Sequence, residues 1–228
     1  MPTASVLISG ATGGLGSAVT SAFREAGWRV VAPVRPGTRA DLPDDVVPVV
    51  ADLTDPAAVD EAVAAAAGDD RAPFRAVVNL VGGFAAGTKI HETPVDEFES
   101  LLRLNLRPTY LVTAAALPHL VASGPAAVVC VSARAAVRPF AGAAGYVTAK
   151  AAVLAFANAV AVEYADAGVR CNTVLPGTID TAANRAAQPD ADRSRWVSPT
   201  AVAGTIRFLA SPESGPTTGA AVPVHPVP

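Results

Sequence analysis

"SVLISGATGGLG", residues 5–16, is the stretch from which the rest of the chain can be read. Its first half is a short apolar run, compact enough for a buried strand. Its second half is a turn in which Gly10, Gly14 and Gly16 recur before a helical pattern begins. Leu15, Val19, Ala22, Phe23 and Ala26 then fall on one helical face, and Gly27 ends the pattern. A buried strand feeding a glycine turn and a helix is the opening unit of an alternating α/β fold. The glycines have a chemical reading as well. A pyrophosphate reaches main-chain N–H groups at a helix N-terminus only where no Cβ obstructs it. A glycine turn alone can also be a tight connection without a ligand, but this one follows the first strand directly and opens the first helix. Thr12 and Leu15 lie in the same turn and join the three glycines as candidate cofactor contacts.

The alternation continues outward. "RVVAPV" (29–34) reads as a second strand, and "DVVPVVAD" holds a third whose Pro48 suits a sheet edge. Asp55 as N-cap, Pro56 at the first helical position and Gly68 at the end bracket a helix. "FRAVVNLVGG" is a central strand running into glycines. Thr93 and Pro94 open a long helical stretch that Pro108 is expected to bend. "AAVVCVS" (126–132) and "VRCNTVLPG" are further strands, "AGYVTAKAAVLAFANAVAVEYADAG" and "PTAVAGTIRFLAS" are helices, and "AAVPVH" is a last strand. The runs 76–81 and 126–131 are apolar on both faces, as a sandwiched parallel sheet requires. The expectation is a single domain over residues 1–228, a Rossmann-type doubly wound α/β sheet of about seven parallel strands with helices on both faces. Ligands in such a sheet sit at the carboxyl ends of its strands.

Composition narrows the function classes. Of 228 residues, 51% are apolar and 16% charged, and the net charge is −3, so the chain can bury a core but carries no basic field for nucleic acid or anionic membrane. Cys130 and Cys171 each lie in an apolar run and read as small buried hydrophobes, with a disulfide left open. No signal-peptide pattern opens the chain, and no charge-free apolar run approaches a membrane span. His91, His119 and His225 are scattered, with no metal-ligand spacing. The chain is expected to be cytoplasmic and reduced, without metal, membrane or nucleic-acid partner.

The end of the second strand bears on the coenzyme. A carboxylate there would hold the adenosine ribose hydroxyls and repel a 2′-phosphate. Val34 stands in that place, Arg35 follows, and Arg39 is a second cation nearby. A guanidinium matches a phosphate as a bidentate fork, so NADP(H) is preferred, with NAD(H) left as an alternative. After the third strand, Asp52 is placed to accept from an adenine amino group with Leu53 beside the ring; a turn-forming Asp is the other reading.

One lysine stands out. Among seventeen basic side chains only Lys89 and Lys150 are lysines, and Lys150 follows Tyr146 by four residues in "YVTAK". That spacing puts both on one helical face, one turn apart. "SGATGGLG", "NLVGG" at 79–83, Asn105 in a long helix, "YVTAK" and "LPGTIDT" at 175–181 occur in that order. Together they resemble the short-chain dehydrogenase/reductase family over essentially the whole chain. The resemblance implies that Tyr146 exchanges a proton with the substrate oxygen while hydride moves to or from nicotinamide. A free phenol has a pKa near 10, and a neighbouring ammonium is expected to lower it. By the same resemblance, Lys150 holds the nicotinamide ribose, Asn105 interrupts its helix and supports the proton path, and Asn79 ties neighbouring strands. Pro176, Gly177, Thr178 and Ile179 are then cofactor contacts.

The pattern breaks once. Family members place a serine about thirteen residues before the tyrosine, and here that residue is Ala133. Ser132 is one residue early, and on a strand one residue reverses the face. Ser132 is therefore either a substrate contact through a local bulge or a plain buried serine. The segments around 132–153 and 175–199 are similar to dihydropteridine reductase and its relatives, which also lack that serine; Val34 departs from their NADH-using members. Residues 177–198 are expected to form a lid, with Arg185 and Trp196 as candidate substrate contacts. The reaction expected is NADPH-dependent hydride transfer with a small carbonyl, quinonoid or imine-like molecule. A non-redox cyclase or dehydratase using Tyr146, or a silent NADP(H)-binding protein, are the alternatives. The family resemblance also implies a homodimer or homotetramer.

Overall fold

The computed structural model describes residues 3–38 and 41–226. Among these residues seven strands form one sheet, all neighbours parallel, in the order β3-β2-β1-β4-β5-β6-β7. They are β1 (Ser5–Ser9), β2 (Arg29–Val34), β3 (Val47–Val50), β4 (Phe74–Asn79), β5 (Ala126–Val131), β6 (Val169–Pro176) and β7 (Ala221–Val224). Every strand expected from the sequence is present. The central ones are buried on both faces, which is why they read as unbroken apolar runs. The edge strands β3 and β7 alternate instead and carry Pro48 and Pro223, which cost a buried ladder nothing there.

Helices cover both faces. One core joins Val63, Phe74, Leu120, Val153 and Val160; the other joins Val6, Phe23, Val129, Ile206 and Leu209. α1 (Gly14–Glu25) and α7 (Pro199–Ala210) pack on the second side. α2 (Pro56–Ala67) begins as expected, with the Asp55 carboxylate accepting from the Ala57 N–H. α5 (Ala144–Glu163) is, among the described residues, the one helix long and apolar enough to cross a membrane by length and composition. It carries Lys150 and lays Val153, Ala157 and Val160 on the sheet, so it is seated as a core helix.

The long helical stretch is interrupted at Asn105, as the family resemblance implies, and not at Pro108. It is two helices, α3 (Val95–Asn105) and α4 (Arg107–Ser123), parted at Leu106. The break precedes Pro108, which sits in the first turn of α4, where its missing N–H costs no helical bond. Thr93 is not the cap either. Pro94 holds that position, and the Thr93 hydroxyl donates back to the Lys89 carbonyl. The remaining helix, α6 (Ala182–Ala187), is short and lies between β6 and α7.

Candidate active site

β1 and β4 are neighbours, while β2 and β3 extend one way and β5 to β7 the other. The crevice of the sheet opens at that reversal, above the carboxyl ends of β1 and β4. The glycine turn fills one side of it. Gly10 has φ +76°, a conformation that favours glycine, and a Cβ there would press on the Leu80–Val81 backbone at 3.3–3.4 Å. A Cβ on Gly16 would overlap the Gly10 carbonyl and the Ala11 backbone. α1 starts from Gly13 with no side-chain cap and no acidic residue in its first turn. Its leading N–H groups therefore face the crevice without an internal anion, as a phosphate cradle requires.

Beside the glycine turn lies an open cleft of about 280 Å³ lined by Gly10, Thr12, Arg35, Asp52, Leu53 and Pro108 among others. Arg35 is exposed just beyond β2, and Val34 is buried. Arg39 lies outside the described residues. One Asp52 oxygen accepts both the N–H and the hydroxyl of Thr54, at 2.9 and 2.8 Å. Those two bonds, with Arg35 nearby, hold its carboxyl below the usual range. Asp52 thus shapes the turn with one oxygen and lines the cleft.

The rest of the site gathers on a strap that follows β4. Asn79 is buried; its amide donates to the Thr113 hydroxyl at 3.0 Å and lies 3.8 Å from the Cys130 sulfur, tying β4 to α4 and β5. Gly82 sits between two candidate residues. A Cβ on it would lie 2.6 Å from Asn105 Oδ1 and 3.0 Å from Lys150 Nζ. Asn105 grips the next residue on both sides, accepting the Gly83 N–H at 3.2 Å and donating to the Gly83 carbonyl at 3.1 Å. Its amide also donates to the Leu101 carbonyl, and the helix breaks directly after it. Phe84 then meets Tyr146 edge to face, with ring centroids 4.9 Å apart. Glycine at 145 lets α3 press on the start of α5, since a Cβ would lie 2.8 Å from Leu101. Asn105, Lys150 and Tyr146 are therefore assembled around three consecutive residues, Gly82 to Phe84.

Electrostatics differ from the sequence expectation. Burial pushes the Tyr146 phenol up to about 12 rather than down. Lys150 does not offset this. The residue is 6% exposed, its ammonium donates to the Val131 carbonyl at 3.2 Å, and burial draws it down to about 8, with Cys130 acting in the opposite sense. Burial alone sets the direction at the phenol, while the ammonium is turned to the Val131 carbonyl. Ser132 also departs from the reading that made it a substrate contact. It is 2% exposed, and its hydroxyl donates to the Lys150 carbonyl at 2.6 Å, bracing α5 against β5. Cys130 and Cys171 are buried and unbridged.

Beyond β6, Gly177 donates its N–H to the Val224 carbonyl and Ile179 forms an isolated bridge with Val197. Residues 177–198 are thus pinned at both ends beside Pro176 and Thr178. Arg185 is held by Asp180 in a two-pronged pair at 2.6 and 2.7 Å, and Arg193 lies over the half-buried Trp196 ring. Both candidates thus already have a partner within the segment. Sequence reasoning missed Thr181, whose side chain lies against the glycine turn: a Cβ on Gly14 would come within 2.9 Å of it. It also passed over Phe84 and Phe140, whose exposure, 63% and 49%, only the fold reveals.

Comparison with known proteins agrees with this fold. The family model for short chain dehydrogenase matches residues 4–192. The 2-(R)-hydroxypropyl-CoM dehydrogenase of Xanthobacter autotrophicus is 32% identical over 77% of this chain and 74% of its own. The ligand-free aldohexose dehydrogenase of Thermoplasma acidophilum superposes with TM-score 0.86 at 26% identity, covering 97% of this chain and 92% of that one. The structure of ElxO with NADP bound shares the fold at TM-score 0.88 and 23% identity, covering 98% of this chain and 97% of that one.

Proposed function

Because the chain belongs to the short-chain dehydrogenase/reductase family of oxidoreductases, we propose that it is an NADPH-dependent reductase of a small carbonyl, quinonoid or imine-like molecule, with Tyr146 as its acid and base. The observation that carries this reading is the assembly of Tyr146, Lys150 and Asn105 around Gly82, Gly83 and Phe84, beside the glycine turn. The bound nicotinamide supplies the hydride and, when oxidised, a positive charge that favours the phenolate. Tyr146 gives its phenolic proton to the substrate oxygen or nitrogen in reduction and removes one in the reverse direction. Lys150 holds its ammonium at the floor of the site through the Val131 carbonyl, where three rotatable donors serve the cofactor ribose better than a planar guanidinium would. Asn105 fixes the strap that carries Phe84. With Ala133 where a serine is usual, the substrate oxygen receives no hydroxyl from that position. This favours acceptors that are already polarised, such as the quinonoid ones suggested by the local likeness to dihydropteridine reductase.

Arg35 and the uncharged Val34 support NADP(H) over NAD(H), since a guanidinium at the end of β2 can fork onto a 2′-phosphate. The pinned segment 177–198 serves as the lid over the substrate. The outward faces of α4 and α5, with Tyr110 and Val162 53% and 80% exposed, suit a homodimer or homotetramer in the cytoplasm. The decisive assay follows NADPH absorbance against activated ketones and quinonoid acceptors. Tyr146→Phe is expected to reduce turnover by about 10²–10⁴-fold while leaving NADPH affinity intact. Binding of NADPH without oxidation across the panel would instead favour a non-redox or silent member of the fold. Arg35→Asp is expected to weaken NADPH binding at least about tenfold, more than it weakens NADH, through loss of the charge-assisted fork.

A further inference from the structure

Two loops meet above Tyr146. One is "GGFAAG" (82–87) and the other is "RPFAGAAG" (138–145). Each presents one large ring, Phe84 and Phe140, and both rings are substantially exposed. They are not scattered surface residues. Their centroids lie 6.4 Å apart with a 34° tilt, and Phe84 continues edge to face onto Tyr146. The three rings form one aromatic surface that runs from solvent to the candidate proton donor.

That surface is held rigidly. The Gly87 N–H donates to the Gly142 carbonyl at 2.8 Å, clasping one loop to the other. Gly142 has φ +77°, and a Cβ on it would press on the Gly87 backbone at 3.2–3.4 Å, so the approach depends on glycine. Behind the clasp, the Asn105 side chain grips both backbone groups of Gly83, which fixes where Phe84 begins. Between the rings the loops offer only Gly, Ala and Pro, with Arg138 the single polar residue of the two segments and itself exposed. A polyol lying there would lose its water without finding side-chain partners. A flat apolar ring would find preorganised π faces and edges.

Resting on the placement of Tyr146 in the reading above, we infer that Phe84 and Phe140 form a specificity wall selecting substrates whose reacting carbon is borne on or beside a flat, apolar ring. Sugars, polyols and open-chain carbonyls are the disfavoured classes.

The test is calorimetric binding to the full chain saturated with NADP⁺. The probes are 2-naphthol, 2-octanol of comparable hydrophobicity, and xylitol. The expected result is 2-naphthol binding at least tenfold more tightly than 2-octanol, with xylitol not detected. Phe84→Leu and Phe140→Leu keep apolar bulk but remove the ring. Each should weaken 2-naphthol at least fivefold and collapse its advantage over 2-octanol, while NADP⁺ affinity, the control for folding, stays within twofold. Equal binding of the two alcohols, tighter binding of xylitol, or indifference of 2-naphthol to both substitutions would overturn the inference. So would a wall covered by a second copy of the chain, seen as no binding by any probe. Ring-selective binding that depends on both phenylalanines, without turnover of any carbonyl, would leave the wall standing and bring down the reductase reading; turnover without ring selectivity would do the reverse.

Discussion

Lys150 shows how a single residue can set function against stability. Burial draws its ammonium down to about 8 from 10.5, so the folded chain holds that proton less firmly than the unfolded chain does. Below pH 8 both states are protonated and the full penalty applies. Between pH 8 and about 10.5 the unfolded state binds more protons, so stability rises with pH, and above that window the penalty is gone. The shift corresponds to roughly 3 kcal/mol. Lys150→Met is therefore expected to be inactive but more stable at pH 7. The difference from the parent, followed by urea denaturation across pH 7–11, should shrink as pH rises; a difference that does not change would refute the burial argument. Tyr146 and Lys150 were legible as a pair from their four-residue spacing. Their mutual influence was not, because it depends on the Val131 carbonyl, nineteen residues from Lys150, which takes the ammonium instead.

Among the elements, the first βα unit and the capped helix α2 follow directly from local chemistry. Asp55→Ala removes an acceptor from the start of α2 and should cost about 1 kcal/mol by chemical denaturation. Gly16→Ala forces a Cβ into the Gly10 carbonyl and should be far worse, abolishing NADPH binding or the fold itself, as a shift in melting temperature would report. The break between α3 and α4 was legible only through the family resemblance, which placed an interruption at Asn105. Propensity and periodicity both run on through 95–123, and the interruption rests on Asn105 bonding to Gly83, a partner twenty-two residues away. Asn105→Ala leaves the Gly83 N–H and carbonyl unpaired. It is expected to lower stability by about 1–3 kcal/mol and to raise KM for ring-bearing substrates by displacing Phe84, with Asn105→Gln restoring neither.

For the molecule as a whole, the exposed α4 and α5 faces carry the prediction of assembly. Val162→Arg and Tyr110→Glu together should shift the chain to monomer in size-exclusion chromatography with light scattering, and unchanged mass would exclude those faces as the interface. The sequence by itself determined the alternation of strand and helix and the glycine cradle, because each rests on interactions within about a dozen residues; it marked the parallel sheet through strands apolar on both faces, although the pairs themselves, such as Ser5 with Phe74, join distant residues. The edge strands could be told from Pro48 and from their alternation, since a strand covered on one face writes its exposure into its residues. Only the tertiary structure decided which way Ser132 points, that burial outweighs charge at Tyr146, and that Phe84 and Phe140 stand together in the open. Those outcomes depend on groups far apart in the chain meeting at one end of the sheet, and no local pattern records which of two faces a side chain will find there.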